Sequence, residues 1–201
     1  MNHMIRDIYG HHLLTVRIPN GTPEHMRHAK ALGRLRQRRG KLPDLTDANL
    51  RDSSFHDFDF SDMELHGVDF RNANCRGAKF YNASLHVADF SHCDLSDAHF
   101  DGADLYKATF YDADLQAAEL ANAKLDDAHL IDLGISIRGN RWVVVPGNPP
   151  RINAGCRRFT FREARVHWYG KFKKDPALPE RIDTMARLIA AEKLARAMDW
   201  I

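Results

Sequence analysis

Twelve histidines, three cysteines and 27 carboxylates are the residues of this 201-residue chain from which chemistry could be built. A metal ion needs three or four converging ligands. The best-spaced histidines, His66 and His86, are followed at the same twenty-residue step by Tyr106 and Asp126, so no third imidazole completes a set. Cys75, Cys93 and Cys156 share no C-x-x-C spacing. Cys156 beside Arg157 and Arg158 is the one thiol whose neighbours favour a thiolate, against the plainer reading of a packed structural cysteine. There is no Walker loop, no G-x-S-x-G and no H-E-x-x-H. No catalytic, cofactor or metal site is predicted, and the chain is read as a non-enzyme.

Charge is the feature left. The formal +2 hides a segregation: positions 42–135 hold 19 acidic and 6 basic residues, 1–41 hold 2 and 9, and 136–201 hold 6 and 14. Asp89, Asp94, Asp97, Asp112 and Asp114, with Asp69 and Asp132 beside them, are the candidate protein-binding carboxylates. Arg34, Arg36, Arg38 and Arg39 form one candidate phosphate-gripping cluster, and Arg157, Arg158, Arg162 and Arg165 another. A solubilising acidic surface and a solvated basic helix face are the plainer alternatives. A third is self-association into a homodimer, basic ends against an acidic wall, weakening steeply with salt.

What positions these groups is a repeat. Every residue at a multiple of five from 45 to 130 is apolar, eighteen in succession, and the residue two before each is usually Ala. The residue between them is polar, most often Asp or Asn. Neither the helical period of 3.6 nor the strand period of 2 yields this spacing. With "ADL", "ANL" and "ADF" recurring in register over about 90 residues, the pattern resembles the pentapeptide-repeat family. The resemblance implies an all-β right-handed quadrilateral solenoid, four pentapeptides to a coil, roughly 20 Å long at the usual inter-strand spacing.

Phe70, Phe90 and Phe110 would then stack in one internal column opposite Phe60, Phe80 and Phe100. Leu45, Leu65, Leu85, Leu105 and Leu125 would form another, with Cys75 and Cys93 as small core hydrophobes. The quinolone-resistance members of that family are understood to imitate duplex DNA with rows of charge, so DNA mimicry is one implication. It is weakened here by the short rod and the basic ends.

Both ends of a solenoid need covering. Residues 1–41 are read as an N-terminal cap: a strand in "HLLTVRI", then a helix from Pro23 to Arg39 with Thr22 as N-cap and Gly40 as stop. Met26, Ala29, Leu32 and Leu35 would face a first coil flared by Pro43, Phe58, Met63 and Val68. Residues 42–133 are the solenoid. Residues 134–201 are a small C-terminal α+β domain, made of a hairpin turning at Gly139-Asn140 and two helices. The first helix opens on a Thr160–Glu163 capping box. "KDPALPE" links it to the second, Pro179–Ala197.

"AGCRRFTFREARVHW" is similar to tails of uncharacterised phage and prophage pentapeptide-repeat proteins. The start "MNHMIRDIYG" has no apolar h-region and no run reaches about 18 apolar residues, so a reduced, cytoplasmic protein is expected. The expected function is a non-enzymatic macromolecular-binding scaffold, phage-encoded, that engages or inhibits a host nucleic-acid-handling protein through its acidic wall. The alternative is nucleic-acid binding through the basic ends.

Overall fold

The structure, a computed structural model, describes residues 1–7, 9–39, 44–135, 141–154, 157–171 and 179–201, the side chains of 36–39, 135, 169–171 and 181 excepted. Pro43, Gly40, Gly139, Asn140, Cys156 and most of "KDPALPE" therefore lie outside the described residues.

From residue 44 to 130 the chain advances one coil every twenty residues. Asn49 bridges Asp69, Asp69 bridges Asp89 and Asp89 bridges Thr109, all parallel, and the step repeats in the other pentapeptide columns. Each pentapeptide contributes a single bridging residue rather than a full strand. The cause is local: the two residues after each inward side chain turn, and the second is left-handed, as at Asp52 (φ 54°), Asn72 (φ 59°) and His92 (φ 58°). Asp and Asn tolerate that conformation better than most residues. Coils are knitted in both directions, with Phe90 N–H donating to Thr109 O at 2.8 Å and Asp89 N–H to Val68 O at 3.0 Å.

The bore is filled as the period requires. Phe90 stacks parallel on Phe70 at 5.0 Å and on Phe110 at 5.4 Å, and Phe80 on Phe60 at 5.1 Å and Phe100 at 4.9 Å. The two columns meet edge to face, Phe80 to Phe90 at 5.7 Å. The alanines two residues before the rings are buried, and so are Cys75 and Cys93. Met63 and Val68 are buried in the first coils, with Phe58 half-buried beside Phe60.

The N-terminal elements extend this core. An unforeseen strand, β1 (Asn2–Arg6), pairs antiparallel with β2 (His12–Arg17), and Asp7 bridges Ala48 in the first coil. Asn49 N–H donates to Arg6 O and Ser54 N–H to His25 O, satisfying edge donors that no coil covers. A 3₁₀ turn at Glu24–Met26 precedes α1 (Arg27–Arg39). Leu32 is buried and Ala29 and Leu35 pack on the core, but Met26 is exposed and Ala31 takes an inward place. Thr22 is not the N-cap: its hydroxyl donates to Pro19 O, and Pro23 occupies the cap without a side-chain bond.

At the other end a four-stranded antiparallel sheet runs β3 (Ile131–Ile135), β4 (Arg141–Val145), β5 (Arg151–Ala154) and β6 (Arg157–Thr160). The sequence foresaw only the first pair, and the sheet begins at Ile131, before residue 134. β4 serves two cores. Val143 and Val145 pack on the solenoid, while Trp142 and Val144 face α2 (Phe161–Lys171) and α3 (Pro179–Ala197). The Thr160–Glu163 capping box is present, with Thr160 N–H to Glu163 Oε2 at 2.8 Å and Glu163 N–H to Thr160 Oγ1 at 3.2 Å.

The last coil is closed by this sheet. Arg141 Nη1 donates to the carbonyls of Leu120 (2.7 Å) and Ala123 (2.9 Å), and its other nitrogens grip Asp132. Asp112 N–H donates to Pro146 O at 2.6 Å, where the next coil would otherwise supply the carbonyl.

Candidate functional site

Each pentapeptide carries outward side chains of two kinds. Where the residue between the two inward positions is Asp or Asn, its side-chain oxygen commonly points back at the turn it precedes. Asp89 Oδ1 accepts from Ser91 N–H at 2.9 Å, Asp94 Oδ1 from Ser96 N–H at 3.0 Å, and Asp114 Oδ1 from Gln116 N–H at 3.0 Å. These are Asx turns, so part of the acidity has a backbone role. Asp97 and Asp112 sit instead at left-handed corners and are exposed.

The fold gathers the five predicted carboxylates. Asp94 bridges Asp114 directly, and Asp89 and Asp112 lie in the neighbouring pentapeptide column of the same coils. It also interleaves them with basic side chains. Arg71 Nε approaches Asp89 at 3.5 Å, and Arg76 lies 3.0 Å from Asp97. His92 is 3.5 Å from Asp112, and Arg158 reaches Asp114 at 2.9 Å and Asp112 at 4.0 Å. Asp69, expected to face outward, is buried and held by Arg71 Nη2 at 2.6 Å with Arg51 at 3.7 Å. Asp132 is bound to Arg141. Burial alone would push its carboxyl up, but hydrogen bonds from Arg141 and Gly134 N–H hold it below the ordinary value.

The basic candidates divide. Arg34 donates to Arg17 O at 3.1 Å. Arg36, Arg38 and Arg39 fall where side chains are not described. Arg157 is exposed on β6, whereas Arg158 is turned inward onto the acidic wall. Its Nε and both amide atoms of its cross-strand neighbour Asn153 are buried without a hydrogen-bond partner.

His66 and His86 meet edge to face at 6.0 Å, and His86 Nε2 lies 3.1 Å from Asp104. Among the described residues, no three His, Cys, Asp or Glu side chains are placed to hold a metal ion. Burial pushes the Cys75 thiol well up, which keeps it protonated and unreactive.

One cluster escaped the sequence reading. His28 Nδ1 lies 2.7 Å from Ser53 Oγ, whose own proton goes to Arg51 O at 2.9 Å. The ring of His3 stands edge-on to His28 at 4.7 Å, with its Nε2 buried and unpaired. Burial, and then the charge of His3, pull His28 down to about 4. Burial and then Arg27 lower His3 as well. The available signal was Ser53, which stands where the repeat expects alanine.

Residues 44–130 match the family model described as Pentapeptide repeats, in overlapping segments 44–80, 59–97, 83–122 and 93–130. No curated protein matches. Among solved structures, a pentapeptide repeat protein from the Arabidopsis thaliana thylakoid lumen is 29% identical over 43% of this chain and 60% of its own, TM-score 0.42. HetL, a pentapeptide repeat protein involved in heterocyst differentiation regulation in the cyanobacterium Nostoc, is 26% identical over 43% of this chain and 52% of its own, TM-score 0.23. QnrB1, a plasmid-mediated fluoroquinolone resistance protein, is 20% identical over 48% of this chain and 70% of its own, TM-score 0.22. The chain thus spans less than two thirds of the first two.

Proposed function

We propose that this chain, a pentapeptide-repeat protein over residues 44–130, is a non-enzymatic scaffold that binds a protein partner through the wall of Asp89, Asp94, Asp97, Asp112 and Asp114. The division into an N-terminal cap, a right-handed four-sided solenoid and a C-terminal α+β domain belongs to the same proposal. So does a cytoplasmic setting, which two free buried thiols suit. The observation that carries the reading is the register: a twenty-residue step holds carboxylates of neighbouring coils side by side on a rigid support, Asp94 against Asp114.

Such a preorganised array binds at a reduced ordering cost. Because Arg71, Arg76 and Arg158 alternate with the carboxylates, the wall presents mixed charge. That favours a protein surface of complementary mixed charge over a partner that expects the unbroken negative charge of duplex DNA. Nucleic-acid binding through the basic ends has less support, since Arg158 is already engaged.

The test compares wild-type chain with Asp94→Lys/Asp97→Lys as bait in bacterial lysate. A partner retained by the first and lost by the second is expected. Equal retention would overturn the acidic-wall reading, and a nuclease-sensitive catch that charge reversal strengthens would favour the basic ends.

A further inference from the structure

Among the described residues, the basic side chains that meet the five wall carboxylates come from two places. Arg71, Arg76 and His92 belong to the coils and travel with the wall. Arg158 reaches it from β6, the outer strand of the C-terminal sheet. Its Nη1 lies 2.9 Å from Asp114 Oδ2 and its Nη2 4.0 Å from Asp112 Oδ1, so one guanidinium covers two of the five. The seat is good at that end and poor behind it. Arg158 Nε is buried without a hydrogen-bond partner, and so are Nδ2 and Oδ1 of Asn153, which stands opposite it on β5. Cross-strand neighbours share a face of the sheet, so the three unpaired atoms lie on the side turned to the solenoid. Burying polar groups unpaired is unfavourable.

We propose that Arg158 is an internal gate on the acidic wall, holding Asp112 and Asp114 until a basic side chain of the partner protein takes its place. The inference rests on the acidic-wall reading and deepens it by naming the group the partner must present. The charge-assisted bond to Asp114 holds the gate shut. Swinging the guanidinium into solvent returns Nε and the Asn153 amide to water, which lowers the cost of opening. The side chain is already 23% exposed, and β6 keeps its pairing with β5 while the guanidinium leaves. Opening bares Asp114 beside Asp94, its bridge partner one coil below. Only another cation can replace Arg158 without leaving Asp114 unpaired, which selects an arginine or lysine on the partner's mixed-charge surface.

Fluorescence anisotropy of fluorescein-labelled hexa-arginine against the full chain in low salt tests the gate. Asp94→Lys/Asp97→Lys should abolish binding of this probe, as the wall reading requires. Arg158→Gln should tighten binding about tenfold, whereas Arg157→Gln, an equal loss of charge at an exposed arginine of β6, should change it less than about twofold. Asn153→Leu removes the unpaired amide without altering charge, so it should hold the gate shut and weaken binding about threefold. That variant keeps the gate testable should Arg158→Gln fold poorly, which circular dichroism checks. Binding lost in the charge-reversed wall but not tightened by Arg158→Gln overturns the gate alone. So does equal tightening by Arg157→Gln or, where Arg158→Gln does not fold, no weakening by Asn153→Leu. A probe that neither wild type nor Arg158→Gln binds, or binding indifferent to Asp94→Lys/Asp97→Lys, overturns the wall and the gate together.

Discussion

Arg158 on β6 places its Nη1 2.9 Å from Oδ2 of Asp114, joining the edge strand of the C-terminal sheet to the fourth coil across 44 residues of sequence. Both side chains are less than one-third exposed, so the pair is shielded more than a surface salt bridge. Arg158→Ala leaves Asp114 without its cation and should cost about 1–3 kcal/mol. Asp114→Asn keeps the acceptor for Gln116 N–H and should cost less, about 1 kcal/mol. Urea denaturation measures both. Equal losses would show that the turn, not the ion pair, holds this contact.

Acidification should loosen the N-terminal end first. His28 is held near 4 in the folded chain against an ordinary 6.5, so the unfolded chain binds the proton more readily. Stability is therefore full above pH 6.5 and falls as pH drops from 6.5 toward 4, by at most about 3 kcal/mol. His3, lowered too, adds to the same window. The carboxylates Asp104 and Asp132 are depressed below their ordinary 3.8, so their contribution is lost only at still lower pH. His28→Asn, which retains a donor toward Ser53, should flatten the stability profile between pH 7 and 5. A profile unchanged by that substitution would remove His28 from the explanation.

Phe90 touches four other rings, two stacked and two edge-on, and is fully buried. Phe90→Asp should abolish folding, because an unpaired carboxylate would be sealed in the bore. Phe90→Leu, which puts in this column the side chain that fills its neighbour, should cost about 1–3 kcal/mol. Asp89→Lys is not neutral despite facing outward. It removes the acceptor of Ser91 N–H and sets a second cation beside Arg71, at about 1–2 kcal/mol. Circular dichroism melts of the three variants should rank them in that order.

The inward and outward sides of the solenoid were legible because one pattern repeats eighteen times and period five belongs to no other backbone. The capping box and the bounds of α3 were legible for a similar reason, each being a local rule. β1, β5 and β6 were not. "NHMIR", "RINA" and "RRFT" are short and mostly polar, and become strands only through partners elsewhere in the chain. The cations that thread the acidic wall were equally hidden. Nothing within Arg158's own sequence neighbourhood announces Asp114, and Asp69 reads as one more surface carboxylate until Arg51 and Arg71 are seen to close over it.

The corners of the coils show how one turn of the solenoid dictates the next. Gly67 is left-handed (φ +65°), and the carboxylate of Asp47, one coil below, fills the space that a Cβ on Gly67 would need. Gly77 stands in the same relation to Asp57. At two other corners the upper residue is an amide that donates to the carboxylate below it, Asn72 Nδ2 to Asp52 Oδ1 at 3.1 Å and Asn82 Nδ2 to Asp62 Oδ1 at 3.3 Å. Gly67→Ala should therefore cost more than the roughly 1 kcal/mol of a left-handed alanine. Gly21 supplies the control, being left-handed (φ +77°) with nothing within 4 Å of its Cβ position, so Gly21→Ala should carry the conformational cost alone. In an Asp47→Ala background the steric part should vanish and Gly67→Ala should fall to the Gly21 value, a coupling of at least about 1 kcal/mol between residues twenty apart. Gly67→Asn should be milder than Gly67→Ala in the wild-type background, because its amide can donate to the oxygen that an alanine methyl strikes. Chemical denaturation of the four-variant cycle decides the matter. If Gly67→Ala costs the same with and without the Asp47 carboxylate, the corners are set by backbone conformation alone and neighbouring coils do not select each other's residues.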